Sequence, residues 1–552
     1  MSRSEEYATH APRLPWWQDL RWITAGIVVV LLGLLVWGLF GPEPPLTVSR
    51  ETTYLTAPLA ADGLPDYEAA LLALYGPAPP PDDNAAVLLL QTCWPLGIDG
   101  AHLAAVCEAL GIPGLPPPES LVLDPRDDAA AGVTREMIDA ALDRPWTAEH
   151  LPAVAAWLTK NEAQIDRLVA AADRPHYWLP SPSLLDGRPE PLWGIRPPEQ
   201  QLRGVAEVLR YRAMWHVGEN RPAAAWRDIR AIRCLARLVV TPPGRRPQFA
   251  GMQYMVLGFH LRAADATRQL LAMPDLPAEL LAAIRQDLEG PGPTVALSAS
   301  VAGKRLWAID AAVWLARRTP GGRRVRMKLA EDHDFSLSIR DPALLTSLDW
   351  NLILERLNTR CDELESAWRL PTHQARIDAM EAQQRVSARA VSAWARPGDV
   401  LLQACSRGHR SDRFADRVDL CPGWSGIFYA ATICDAQCAL AKTAAALAAW
   451  KADRAAGETP YPETLSALVP KYLAAVPLDP FSDKPFVYER RGEGYLLASV
   501  GTNGVYDGGN DMHRWIVGGE WQTTEQDVDY SKSDLVVRMP MPPPAAPPSA
   551  RP

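Results

Sequence analysis

Few stretches of this sequence combine residue types at a spacing that chemistry would use. Ala302-Gly303-Lys304-Arg305 has the glycine and lysine of a phosphate-binding loop. It lacks the leading glycine and the Ser or Thr that would follow the lysine. Gly423-Trp424-Ser425-Gly426 sets a serine between glycines, with the wrong spacing for a nucleophile elbow. Glu331-Asp332-His333-Asp334 carries metal-binding atom types, but a short acidic run after a basic one reads as solvated. Asp362, Glu363 and Glu365 would work as acid and base only if they shared a cleft, and carboxylates are too common for that pattern to carry weight. His216 falls inside a helical hairpin and reads as a packed or capping histidine. Of the eight cysteines, none forms a C-x-x-C pair, so zinc-ribbon and thioredoxin readings have no basis. Cys405 and Cys421 flank an arginine-rich segment read as a loop, and a bridge between them would close it. Cys93 and Cys107 are a second candidate pair. Cys434 and Cys438, four apart, share one helical face. Buried free thiols are the alternative for all of them.

The elements that must hold such residues begin with an anchor. Trp22 to Phe40 reads WITAGIVVVLLGLLVWGLF, without a charge. As a helix it spans about 28 Å, close to the hydrocarbon core of a bilayer. Trp22 and Trp37 sit near its ends, where amphipathic rings prefer the interface. The run exceeds a signal-peptide core, and Gly41-Pro42-Glu43 follows it instead of a small-residue cleavage site. Arg3, Arg13 and Arg21 precede the span, while only Arg50 follows it before Arg126. That asymmetry predicts a single-pass protein of the inner (cytoplasmic) membrane, N-terminus inside and the large C-terminal part extracytoplasmic. Ala431 to Trp450 is the next most apolar run, but Asp435, Gln437 and Lys442 interrupt it. A net charge of −9 argues against nucleic acid as a partner.

Residues 1–21 then form a cytoplasmic tail, 22–40 the transmembrane helix, 41–64 a linker, and 65–425 a mainly α-helical extracytoplasmic domain. Within it, Asp82 or Asp83 is placed to cap a helix over AAVLLLQ. Residues 176–198 read as an aromatic, proline-rich loop ordered by packing. Leu202 to Val240 gives the clearest unit, a helical hairpin turning at Gly218-Glu219-Asn220-Arg221-Pro222. Ala225, Ile229, Ile232, Ala236 and Val239 repeat at helical spacing. The hairpin is similar to a tetratricopeptide unit, with no second copy at fixed period. Further helices are expected over 253–273, 278–286, 343–358, 372–395 and 426–450. Arg317 to Lys328 is basic and reads as a solvated loop. The twenty tryptophans read as large core anchors among many alanines.

After Tyr461 the period changes. A short helix around Leu465 to Leu473 precedes Asp479-Pro480, and Phe486-Val487-Tyr488 and Tyr495 to Val500 read as strands across Arg491-Gly492-Glu493-Gly494. Leu535-Val536-Val537 offers a third strand, and the sheet should pack on the helix ending near Ala456. Residues 426–540 thus form a long helix plus a small α+β module, and 541–552 a disordered Pro-rich tail. From about 430 to 540 this order resembles the C-terminal half of the type II secretion major pseudopilin, where a long helix leads to YP…L…YL…P.DP(F/W), a hairpin and a calcium loop. The resemblance implies calcium at the loop Ser499 to Asp511, with Asn503, Asp507, Asp511 and Asp534 as the metal ligands. Asp507 and Asp511 are hard oxygen donors on a glycine-rich loop, as calcium needs. Asn503 stands where that family has aspartate, and 512–533 is an insertion, so Asp527, Asp529 or Asp534 would have to close the site. No prepilin cleavage motif precedes the helix at 426, so the chain is not expected to be a fibre subunit. Residues 65–260, with DNAAVLLLQ and RAMWHVGENRPAAAWRDIRAIRCLARLV, look like an uncharacterised group of planctomycete-type membrane-anchored proteins, which implies no activity.

The expectation is a non-enzymatic, membrane-anchored cell-envelope scaffold or interaction protein, in a setting of secretion or envelope organisation. It would have the lipid bilayer and an envelope protein as partners. The alternative is an extracytoplasmic hydrolase with a dispersed active site.

Overall fold

The structure is a computed structural model. It describes residues 16–93, 102–115, 123–128, 130–185, 192, 202–240, 250–290, 300–317, 346–392, 406–417, 424–455, 457–509 and 534–540. The chain is mostly helical, with a small sheet region at its C-terminal end.

Helix α1 (Trp16–Phe40) contains a stretch, Leu20–Phe40, of mean hydropathy 2.6 with none of its window buried. Long and apolar enough to cross a membrane, it turns Ile23, Val29, Leu34 and Trp37 outward. Lipid is the solvent such a surface suits. Its last turn is bonded into the folded body. Leu39 O accepts from Ser347 N at 2.6 Å, and Gly38 O accepts from Arg410 Nη2. Just beyond, Glu43 accepts from Leu348 N (3.2 Å) and Trp350 Nε1 (3.3 Å), while Asn351 bridges Thr47 N and Pro45 O. These bonds satisfy carbonyls that a helix C-terminus otherwise leaves to water.

Two cores follow. The first gathers α2 (Tyr67–Tyr75), α8 (Pro182–Leu185), Leu192, α13 (Ser300–Ala316), the first half of α14 (Trp350–Trp368), and α16 (Arg407–Arg417). Because Ser347 and Arg410 bond to the last turn of α1, and Trp350 to Glu43 just beyond it, this core sits against the end of α1. The second unites α3 (Ala85–Thr92), α4 (Leu103–Leu110), α5 (Arg135–Asp143), α6 (Pro152–Lys160), α7 (Glu162–Ala172), α9 (Leu202–Gly218), α10 (Pro222–Val240), α11 (Ala250–Leu271) and α12 (Ala278–Leu288) with α15 (His373–Ser392) and α17 (Trp424–Ala452). α14 joins the cores: Ile353 and Leu357 lie in the first, Leu364 and Trp368 in the second.

The hairpin α9–α10 forms where the sequence places it. Pro222 opens α10, where its missing N–H costs nothing. Asn220 takes the positive φ of the turn, at 56°. Gly218 is needed for a different reason: a Cβ there would stand 2.0 Å from Trp146 O and 2.5 Å from Trp146 C. Backbone cannot yield like a side-chain tip. Gly218→Ala should therefore destabilise the full-length protein in detergent by about 1–3 kcal/mol. Gly408→Ala, with open space around it, should change stability by less than about 1 kcal/mol. Urea midpoints of both variants check this, and equal midpoints would refute it.

The second core continues into the C-terminal module. A 3₁₀ turn, Leu465–Leu468, stands where a short helix was expected. β1 (Leu478–Asp479) pairs with β2 (Lys484–Pro485), and β3 (Val487–Arg491), β4 (Gly494–Ser499) and β5 (Leu535–Met539) form an antiparallel sheet in the order β3-β4-β5. α17 packs on β4 and β5. Arg268 of α11 donates to Val536 O (3.2 Å), and Arg285 of α12 to Tyr472 O (3.1 Å).

Three local expectations change. The helix expected over 343–358 begins at Trp350, because Asp349 caps it through the amides of Asn351 and Leu352, and it runs on to Trp368. Asn84, not Asp82 or Asp83, caps α3; its side chain accepts from Ala86 N and exchanges two bonds with Trp178. The arginine-rich segment between Cys405 and Cys421 holds helix α16 rather than a loop.

Candidate functional site

β4 and β5 position the loop that the sequence singled out. After Ser499 the chain returns on itself. Asn503 Oδ1 accepts from Val505 N (3.0 Å), and its Nδ2 donates to Asp507 Oδ2 (2.8 Å). At Gly509, φ is +82°, a conformation that strains any other residue, and a Cβ would also press on Leu496 Cδ1 at 2.9 Å. Asp534, 0% exposed at the foot of β5, accepts from Asp507 N (2.9 Å) and Gly509 N (2.8 Å). Arg538 donates to Gly509 O. The fold thus brings Asn503, Asp507 and Asp534 together. Asp511 lies outside the described residues, as do Asp527 and Asp529.

The donor set is all oxygen, the kind a hard cation takes. Several of its oxygens already serve the loop's own hydrogen bonds. Among the described residues, no three His, Cys, Asp or Glu side chains group closely enough to hold a metal. In this structure the loop is closed by amide-to-carboxylate bonds. Asp479 does the same at the other end of the turn: 1% exposed, it accepts from Phe481 N (3.0 Å), Ser499 Oγ (2.8 Å) and Val500 N (2.8 Å). Burial raises its carboxyl above the ordinary range, outweighing these bonds, which favour the charged form.

A second concentration of charge lies inside α9–α12. Arg212 holds Asp228 in two parallel bonds, Nε–Oδ2 at 2.9 Å and Nη2–Oδ1 at 2.7 Å, and reaches Asp166 at 2.7 Å. His216 Nε2 stands 3.7 Å from Asp228 Oδ2, its ring stacked on Trp215. Burial, then Arg221 and Arg212, push its imidazole down to about 4. It is neutral at pH 7 and too weak a base for proton abstraction there. Arg210 and Arg268 share Asp265.

A cavity of about 390 Å³ opens between α10 and α12, lined by Trp226, Arg230, Arg237, Gln286 and Asp287 among others. Asp287 accepts from Arg233 (2.5 Å) and Arg237 (2.6 Å). Burial would raise its carboxyl, but the two arginines outweigh it and hold it below the ordinary range. A carboxylate fixed in two ion pairs is a poor general base. Of the sequence candidates, Asp362 forms an ion pair with Arg305 (2.5 Å), and Glu363 accepts from Gln383 (3.3 Å). Glu331 to Asp334 lie outside the described residues, as do residues 318–328 of the basic segment. Cys93, Cys107, Cys434 and Cys438 are free thiols, so the Cys93–Cys107 pair does not form; Cys405 and Cys421 lie outside the described residues.

No protein-family model, curated protein or solved structure matches this chain.

Proposed function

We propose that the chain is a single-pass, membrane-anchored scaffold or interaction protein of the cell envelope, without catalytic activity of its own. Its N-terminus lies inside, and its helical body and pseudopilin-like end lie beyond the membrane. One observation carries this reading. The anchor does not end in a free tether, for its last carbonyls and Glu43 are bonded to Ser347, Leu348, Trp350 and Arg410 of the body. A body fixed to its membrane helix presents one face at one height, which suits organising a partner. Catalysis on a diffusing substrate has no need of it. Affinity purification of the full chain from detergent-solubilised membranes tests the reading. A protein partner should be recovered near one-to-one, and should be lost when a flexible Gly-Ser linker is inserted after Gly41. A monodisperse chain with no partner would overturn it.

Calcium is the cofactor this reading admits, with Asn503, Asp507, Asp511 and Asp534 as its expected ligands. When bound it would neutralise carboxylate charge and stiffen the loop. An ion at 100 times its dissociation constant stabilises by about 2.7 kcal/mol. The melting temperature should therefore rise by a few degrees in millimolar calcium over excess chelator. An unchanged midpoint removes the ion from the proposal.

A further inference from the structure

The structure gives the exit of α1 a feature that holding the body in place does not use. Gly41 is the first residue beyond the helix, its N–H bonded to Trp37 O at 2.8 Å. From the point where a Gly41 Cβ would stand, Trp37 Cδ2 and Arg407 Nη2 each lie 3.3 Å away. The guanidinium that opens α16 and the last indole of α1 therefore flank one spot. Arg410, one turn further along α16, is spent on Gly38 O and Ser347 O (3.1 Å). Glu43, the nearest carboxylate in sequence, is spent on Leu348 N and Trp350 Nε1. The Arg407 guanidinium makes no hydrogen bond or ion pair among the described residues, and its Nε is shielded from solvent without an acceptor. Trp37 is 63% exposed.

Two independent features fix the depth of this spot. The apolar stretch ends at Phe40, and tryptophan prefers the level of the lipid head groups. A half-buried guanidinium at that level, with no partner among the described residues, meets phosphate as its neighbour. Its planar fork matches phosphate oxygens in pairs. The geometry points to Arg407 as a binding site for the phosphodiester of an anionic phospholipid, seated beside Trp37 where α1 leaves the bilayer. This inference rests on the membrane-anchor reading and adds the ligand at its exit. The bound lipid would join the anchor, the start of α16 and the first core into one unit, setting how the body stands on the membrane.

The test uses the full chain in neutral-detergent micelles doped with equal amounts of phosphatidylglycerol and phosphatidylcholine. Bound lipid is counted by native mass spectrometry. The wild type should retain phosphatidylglycerol about fivefold over phosphatidylcholine, the order expected of one arginine at an anionic surface. Arg407→Gln should bring the ratio to about one, and Arg407→Lys should keep an intermediate preference. The Arg407 side chain bonds to none of the described residues, so Arg407→Gln should melt in pure phosphatidylcholine micelles as the wild type does. No preference in the wild type, or a preference that survives Arg407→Gln, overturns the inference while leaving the anchor intact. If inorganic phosphate alone raises the wild-type melting temperature in lipid-free detergent, and Arg407→Gln removes the rise, the site takes a free anion and the lipid assignment fails. A full chain that carbonate washing strips from membranes would instead overturn the anchor reading itself.

Discussion

Arg210→Met should lower the stability of the full-length protein by about 3–5 kcal/mol, read as a drop in the urea midpoint in detergent. Arg210 is 1% exposed, on a helix where Ala206, Ala213, Met214 and Val217 are buried too. Its Nε donates to Leu142 O (2.8 Å), its Nη1 to Arg262 O (2.9 Å), and its Nη2 to Asp265. One side chain thus ties the end of α5 to α9 and α11. Methionine fills similar apolar volume but donates nothing. It leaves two carbonyls and the Asp265 carboxylate without that donor. Asp265 keeps Arg268 at 2.9 Å, which stops the loss from growing further.

Position decides the magnitude, so a matched control exists. Arg230 also pairs with an aspartate, Asp173, at 2.8 Å, but both side chains are about half exposed. Water screens that pair and solvates either partner alone, so Arg230→Met should cost less than about 1 kcal/mol. The double variant Arg210→Met with Asp265→Leu should recover little of the Arg210 loss, since it also takes from buried Arg268 the carboxylate that the two arginines share. The carbonyls of Leu142 and Arg262 still lack their donor as well. Equal effects at Arg210 and Arg230 would contradict the burial argument.

Much of the helical frame was legible because its signals are local. An uninterrupted apolar run reads as α1, the 3–4 spacing from Ala225 to Val239 reads as α10, and LVV reads as a strand. α16 was not legible. Its sequence, RGHRSDRFADR, has Phe414 and Ala415 as its apolar residues and was read as a loop. It is helical because of distant partners: Ser411 Oγ accepts from Asp349 N at 2.7 Å, and Arg360 donates to Ala415 O at 2.9 Å. The stems of Arg410 and Arg413 are buried where hydrophobes would normally mark a helix. Arg210 did leave a trace, since it interrupts the apolar face of α9. A charge on such a face reads equally as a solvated edge until Asp265, on another helix, is brought against it. In the candidate loop, the glycines and Asp507 were visible as turn chemistry. The role of Asp534 was not, because the amides it accepts from belong to Asp507 and Gly509, across the insertion.

That long-range role makes Asp534→Ala the most informative change in the end module. The carboxylate is fully buried and receives two backbone N–H groups. Losing it leaves both amides without their acceptor, at about 1–3 kcal/mol each, so the module should lose about 2–6 kcal/mol. Asp534→Asn keeps the shape and one acceptor oxygen but not the charge, and should lose roughly half as much, since charge-assisted bonds are about twice as strong as neutral ones. The damage should be local. Asp534 adjoins Leu535, which pairs with Ser499, so hydrogen exchange should speed up in 499–509 and 535–539 while α9 and α10 stay protected. Measuring the Asp534→Ala loss once in calcium and once in chelator separates the two readings of this residue. An amide-held loop gives the same loss in both, because its partners are part of the chain. A loop that depends on an ion gives a larger loss in calcium and a small one in chelator, where the wild type has already lost the ion's contribution. A loss below about 0.5 kcal/mol in both media would mean that the amides find water as readily as the carboxylate, and that Asp534 does not close the loop.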